Sequence, residues 1–363
     1  MDGQVREDNK MLRGLMNLSW LMCSVAATGS YAQVSEPVAR HDWWEYLNAE
    51  WETPAGVPQV TVDGRLLPNW FELPVARAAP NGIAEAHPLS FVLVRPGQVT
   101  VDGVELSVER PFYLAVEETS LAQFAELNGS SARAYGDFNE YRDFLIWEAR
   151  IDNRVPLRAL QPLSEYLENP RHPALLVNAS SAANRIASLT ARTPFTARLP
   201  TLSEWFLAAR CEEPSVFWWG DSVDESKLVW MGDSPNETAL VFAAFDEVSA
   251  GVRSQCGFLN MFGNAAELVS ASDNEREILR RRGVYLVAAA PISVGGAVNT
   301  RGAGFGSLRQ AMEHLEAEVS EWTAIAAYQL TEESHWGADI WWTSGLRFAI
   351  EIPDGEVRLI DTP

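Results

Sequence analysis

The spacing of apolar residues along this chain changes several times, and each change predicts an element. Phe91-Val92-Leu93-Val94 is an uninterrupted apolar run closed by Pro96-Gly97, the mark of a buried strand. Val99 and Val101, then Val104, Leu106 and Val108, alternate with polar residues on either side of Asp102-Gly103, which predicts a hairpin. Phe112 to Val116 reads as a further strand. The period then lengthens. Thr119 or Ser120 precedes Leu121, Phe124, Ala125 and Leu127, a capped amphipathic helix. A second helix is expected from about Ser180 to Leu189, with Ala182, Ala183, Ile186 and Leu189 inward. A third opens on the capping box Thr201-Leu202-Ser203-Glu204 and runs to about Arg210. Beyond it come long stretches of weak periodicity with short apolar runs, Val284 to Ala289 and Leu346 to Ile352.

Upstream of Leu89 the pattern differs. Pro54, Pro58, Pro68, Pro74, Pro80 and Pro88 forbid a long helix, so residues 33–88 are expected to form an irregular extension wrapped on a domain spanning 89–353, with a tail at 354–363. Residues 1–32 read as an address. Arg13 precedes an apolar stretch from Leu15 to Ala27, and Ser30-Tyr31-Ala32 places small residues before Gln33, the pattern of a secretory signal peptide. Asp2, Glu7 and Asp8 spoil the basic start, which translation from Met11 would repair. The apolar run is short for a bilayer span, which needs about 20 residues. The expectation is a periplasmic or secreted protein whose mature chain has no transmembrane span.

Charge narrows the partners. With 28 basic and 49 acidic residues the net charge is −21, which disfavours nucleic acid and anionic lipid because phosphate neutralisation needs a basic face. Only Lys10 and Lys227 are lysines, so the cations are almost all arginine, the better residue for bidentate pairing. Fourteen tryptophans include the doublets Trp43-Trp44, Trp218-Trp219 and Trp341-Trp342. Of three cysteines, Cys23 lies in the leader, leaving Cys211 and Cys256. In an exported protein such a pair is a disulfide candidate, worth about 4 kcal/mol on the chain-entropy model, the alternative being two unrelated buried thiols.

Several blocks, in order, carry a resemblance. Phe91 to Gly97 is followed by Phe112-Tyr113 through Glu118-Thr119 to Gln123-Phe124, then by His172-Pro173 and Val177. Arg198-Leu199-Pro200-Thr201-Leu202-Ser203-Glu204-Trp205 is completed by Ala208-Ala209-Arg210; then come Trp219-Gly220-Asp221, Cys256-Gly257-Phe258-Leu259-Asn260-Met261-Phe262-Gly263-Asn264 and Gly345-Leu346-Arg347-Phe348-Ala349. Together these resemble the formylglycine-generating enzyme / sulfatase-modifying factor family over about residues 89–352. The resemblance implies an α+β, C-type-lectin-like fold that is loop-rich and built around one large domain. Cys211 directly follows the Ala-Ala-Arg helix and Cys256 directly precedes the Gly-Asn loop, which the resemblance places centrally and which favours their bond.

The family's oxidase chemistry needs two cysteines just before the terminal Gly-Phe-Arg block, where thiolates hold copper and engage the substrate cysteine. Here residues 307–344 contain no cysteine. The family's Gly-Asn-Val-Trp-Glu-Trp is Gly263-Asn264-Ala265-Ala266-Glu267-Leu268, and its Arg-Gly-Gly-Ser-Trp is at best Val294-Gly295-Gly296-Ala297-Val298. Copper is therefore not expected. A structural calcium is the cofactor the resemblance still implies, at Gly263, Asn264 and Glu267, since backbone carbonyls with a carboxylate suit a hard cation. His41, His87, His172, His314 and His335 show no metal-ligand spacing, and His172 reads as a loop-fixing residue.

Two functions follow. One is a non-catalytic binding or assembly protein of the cell envelope, holding a protein, peptide or glycan with Trp218, Trp219, Trp341, Trp342 and Arg347, because Trp and Arg are favoured anchors. The other is an enzyme of altered chemistry that matures a protein partner, for which His314, Glu316, Glu318 and Glu321 are the densest polar set near the missing cysteines; their spacing also suits an exposed helix.

Overall fold

The computed structural model describes most of residues 59–75, 88–127, 164–221, 247–281, 292–294 and 344–360, with scattered positions between them. The leader at residues 1–32, Trp341-Trp342, the apolar run Val284 to Ala289, and the set from His314 to Glu321 lie outside the described residues.

The main sheet has five strands in the order β3-β4-β7-β12-β8: β3 (Trp70–Leu73), β4 (Leu89–Val94), β7 (Phe112–Ala115), β12 (Ala349–Glu351) and β8 (Thr196–Arg198). All four pairings are antiparallel. The central strand β7 is buried on both faces, and its side chains divide by the two-residue period of a strand. Tyr113 and Ala115 enter one apolar core, with Phe71, Phe91, Phe348 and Ile350. Phe112 and Leu114 enter a second, with Trp205, Phe206 and Phe262. An unbroken apolar run is what a strand with two dry faces requires.

Helices cover both faces. On the first lie α1 (Leu121–Glu126) and α2 (Ala179–Arg192), which contribute Leu121, Phe124, Ala182 and Leu189. On the second lies α3 (Leu202–Arg210), with Trp205, Phe206 and Leu207 inward. The hairpin β5 (Gly97–Val101) and β6 (Val104–Val108) packs on the same side. A Cβ at Gly97 would stand 3.2 Å from Leu207 Cδ1, so the hairpin approaches α3 as closely as a glycine permits. The expected helix starts are present: Ser120 caps α1 in a reciprocal box with Gln123, and Thr201 caps α3 with Glu204.

Strand pairing crosses the limits expected at Leu89 and Asp354. Strand β3 belongs to the main sheet, and Phe71 stacks on Phe91 at 5.2 Å and meets Tyr113 edge-on at 4.8 Å. Strand β1 (Gln59–Val62) pairs with β13 (Val357–Ile360) and with β2 (Arg65–Leu66), joining the presumed extension to the presumed tail. Pro68 and Pro74 do exclude helix here, but they bracket the short strand β3.

A smaller sheet has the order β10-β9-β11, with β9 (Ala266–Val269) between β10 (Ile292–Val294) and β11 (Ser344–Gly345). The β9–β11 pairing is parallel. Helix α4 (Asp273–Arg281) follows β9. Its Glu275 reaches across to accept from the Ser203 amide at 2.9 Å and from the Ser203 hydroxyl, while its other oxygen accepts from the Ser272 amide. One carboxylate thus ties together the first turns of α3 and α4.

Candidate functional site

Arg347 lies in the link between β11 and β12 and is fully enclosed. All five guanidinium donors are occupied. Nε donates to Glu267 Oε1 at 2.7 Å and Nη2 approaches the same oxygen at 2.5 Å. Nη1 donates to the carbonyls of Ala115 and Val116, and Nη2 to that of Leu259. Glu267 uses its other oxygen to accept from Trp205 Nε1 at 2.7 Å. The arginine expected on a binding face is therefore a core residue. It joins the end of β7, the loop before Asn260 and strand β9. The reason is charge: a buried carboxylate on β9 needs a cation, and an arginine can satisfy several carbonyls at once.

A second carboxylate completes the cluster. Glu118 accepts from the Ala265 amide at 2.7 Å and from the side-chain amides of Asn264 at 2.6 Å and Asn260 at 3.4 Å. Burial, and then the neighbouring charge of Glu267, lift its carboxyl from the ordinary 4.5 to about 8, against the opposing pull of Arg347 and these donors. Arg347 bonds Glu267 directly and acts on Glu118 only through its nearby charge, so Glu118 keeps its proton up to about 8. The turn that presents Asn264 is left-handed, with φ +100° at Gly263 and +56° at Asn264, as the Gly-Asn pair leads one to expect.

This arrangement bears directly on calcium. Glu267, the expected carboxylate ligand, has Arg347 on one oxygen and Trp205 on the other. The cation of this pocket is the guanidinium, and a divalent ion on the same carboxylate would face it in a dry site. The residues present do not fit a calcium ion at Glu267.

The tryptophan doublet is placed differently. Trp218 and Trp219 are half-buried and stand edge to face at 5.1 Å. Trp219 stacks on Phe217 at 4.7 Å and meets Phe262, which anchors it in the second core. Lys227 Nζ lies 5.2 Å from the Trp218 ring and 5.7 Å from that of Trp219. Both rings are partly buried and pack on the edge of the second core.

Arg198 forms a two-pronged bond with Glu204, both contacts at 2.6 Å, and reaches Glu351 at 3.3 Å. These residues line a cleft of about 520 Å³, between the β6 end at Glu109 and Arg110 and the first turns of α3 and α4. His172 donates from Nδ1 to the Tyr166 carbonyl, 2.9 Å away, and stacks on the Tyr166 ring, which is the loop-fixing role expected of it. Cys211 and Cys256 are brought together, with the Cys256 amide 3.3 Å from Cys211 Sγ; both are present as thiols.

The residues that the sequence reading did not single out are Glu118 and Asn260. Glu118 was visible only as part of a motif, with no sign that its partners lie 146 residues away.

An antiparallel sheet with helices on both faces, stitched by an internal cluster of Glu118, Glu267 and Arg347, makes a mixed α+β scaffold. The model of the sulfatase-modifying factor enzyme 1-like domain matches residues 80–328, and the chain belongs to that family. Among solved structures, it is similar to CarF at 15% identity, covering 73% of this chain and 99% of that one with a TM-score of 0.41. It is also similar to PvdO from Pseudomonas aeruginosa at 15% identity, covering 74% and 97% with a TM-score of 0.43. A third similar structure is Treponema denticola variable protein 1, at 11% identity, covering 78% and 99% with a TM-score of 0.43. No curated protein matches.

Proposed function

We propose that this chain is a non-catalytic member of the sulfatase-modifying factor family that acts as a binding or assembly factor in the cell envelope. The observation that carries the reading is where the family's motif residues are spent. Arg347, Glu267, Asn264, Trp205, Arg198 and Glu204 all bond to one another, to Glu118 or to backbone inside the scaffold. Meanwhile the stretch 307–344, which would have to supply copper-binding thiols, contains none. The scaffold is kept and the reactive sulfur is not. In this reading the fold is of the C-type-lectin-like kind, whose long loops present a variable face to a protein, peptide or glycan. Export follows from the leader pattern at residues 1–32.

Trp218, a half-buried ring at the edge of the second core with Lys227 over it, is the residue through which contact with a partner is proposed. The test is affinity capture with the tagged full chain from the envelope fraction, alongside Trp218→Ala. A defined partner retained by the parent chain and lost by the variant supports the proposal. Fractionation of the protein with the cytosol, or identical capture by both chains, contradicts it in its location or in its surface.

A further inference from the structure

The mature chain's two cysteines occupy unequal positions on touching segments. Cys211 is the C-cap of α3, buried, with φ +55° and ψ +40°, a left-handed conformation that glycine adopts far more readily. Cys256 lies on the loop that leads to Phe258 and is half-exposed. Three contacts hold the segments together. The Cys256 amide donates to Cys211 Sγ at 3.3 Å, the Cys211 thiol meets Ser254 Oγ at 3.4 Å, and Gln255 Nε2 donates to Glu213 at 3.0 Å. Sγ of Cys211 thus sits against the backbone of Cys256, which itself packs on the edge of the second core, and this brings the two segments as close as a disulfide requires.

We propose that this pair closes by an ordered thiol–disulfide exchange in which Cys256 is the entry thiol and Cys211 the resolving one. Exposure decides the order. A disulfide donor reaches Cys256 first: its thiolate attacks the donor's disulfide, forms a mixed disulfide and releases one donor thiolate. Cys211, too enclosed to meet a donor itself, then attacks Cys256 Sγ. The internal bond forms, the mixed bond breaks and the second donor thiolate leaves. Two thiol protons are lost, and one donor disulfide becomes two thiols. The helix end at Cys211 disfavours a thiolate, whereas the Cys256 amide pointing at Cys211 Sγ favours one; resolution therefore depends on the same contact that positions the sulfur. The bond would clamp the strained C-cap of α3 to the loop that feeds the Asn260–Asn264 turn.

The test uses purified full chain with oxidised glutathione and mass analysis of alkylated, non-reduced peptides, so it does not depend on where the protein resides. The parent chain is expected to lose two hydrogens, yield a Cys211–Cys256 linked peptide and retain no glutathione there. Its melting temperature should rise by roughly 5–10 °C over the reduced form. Cys211→Ser should accumulate glutathione on Cys256. Cys256→Ser should leave Cys211 unmodified in the folded state and fully alkylated after denaturation. An unlinked parent with both thiols intact, or glutathione on Cys211 in folded Cys256→Ser, overturns the proposal.

Discussion

Glu267 and Arg347 meet at 2.5 Å with neither side chain reaching solvent, although 80 residues separate them in sequence. The pair does more than neutralise charge. Through Arg347 it ties the end of β7 to the Leu259 carbonyl, and through Glu267 it holds the indole of Trp205 in the second core. Removing one member leaves the other buried and uncompensated, so Arg347→Met and Glu267→Gln are each expected to destabilise by about 3–5 kcal/mol. The double variant should cost less than the sum, because no lone charge remains. Urea titration of the four proteins at one pH checks this; additive losses would show that the two residues act independently.

Glu118 gives the chain a pH dependence of defined sign. Its carboxyl titrates near 4.5 when unfolded and at about 8 when folded, chiefly because it is buried and secondarily because it faces Glu267. Between those values the folded protein holds a proton that the unfolded chain has released. The contribution is therefore complete below about 4.5 and is lost as pH rises towards 8, at a slope of at most about 1.4 kcal/mol per pH unit. Glu118→Gln removes the proton from the account. The stability of the parent relative to this variant should fall steadily from pH 5 to pH 8, and a flat difference would contradict the assignment.

The helix starts offer a local test. Glu204 serves twice: it accepts from the Thr201 amide at 2.7 Å to close the box that caps α3, and it takes both prongs of Arg198. Thr201→Ala should cost about 1 kcal/mol, as loss of a cap does. Glu204→Ala should cost more, about 2–3 kcal/mol, because it also takes the two-pronged partner from a partly buried guanidinium and leaves it only Glu351 and the Leu199 carbonyl. Thermal melts of the two variants rank them; equal losses would mean that Arg198 contributes little.

These features differ in how far they could be read from the chain. The Thr201–Glu204 capping box, a cap at Thr119 or Ser120 and the 97–108 hairpin rest on residues within a few positions of one another, so the pattern alone located them, though not the reciprocal bond of Gln123 to Ser120. The Glu118–Glu267–Arg347 cluster could not be read that way. Its members lie on three separate segments, and an arginine flanked by Leu346 and Phe348 is indistinguishable in sequence from a surface anchor. Pairing of β1 with β13 was hidden for the same reason: Thr61 and Arg358 are 297 residues apart, and no local rule links two short strands at opposite ends of a chain. Trp218 and Trp219 were legible as a doublet, but not their packing on the second core beside Phe217 and Phe262, since Phe262 lies more than 40 residues on.

Metal removal separates this chain from a calcium-stabilised scaffold. Because Arg347 supplies the positive charge at Glu267, chelation is expected to leave the melting temperature unchanged within error, and added calcium to leave it unchanged as well. A calcium-dependent rise of several degrees that disappears in Asn264→Ala would place an ion on the Gly263–Asn264 turn after all.

The most direct test of a scaffold retained without its oxidase chemistry is oxygen consumption by the purified full chain, loaded with copper and given a cysteine-containing peptide. The account predicts a rate equal to that of copper and peptide alone, with the peptide cysteine recovered unchanged apart from ordinary disulfide. Turnover above that control, with conversion of the peptide cysteine to an aldehyde, would contradict it.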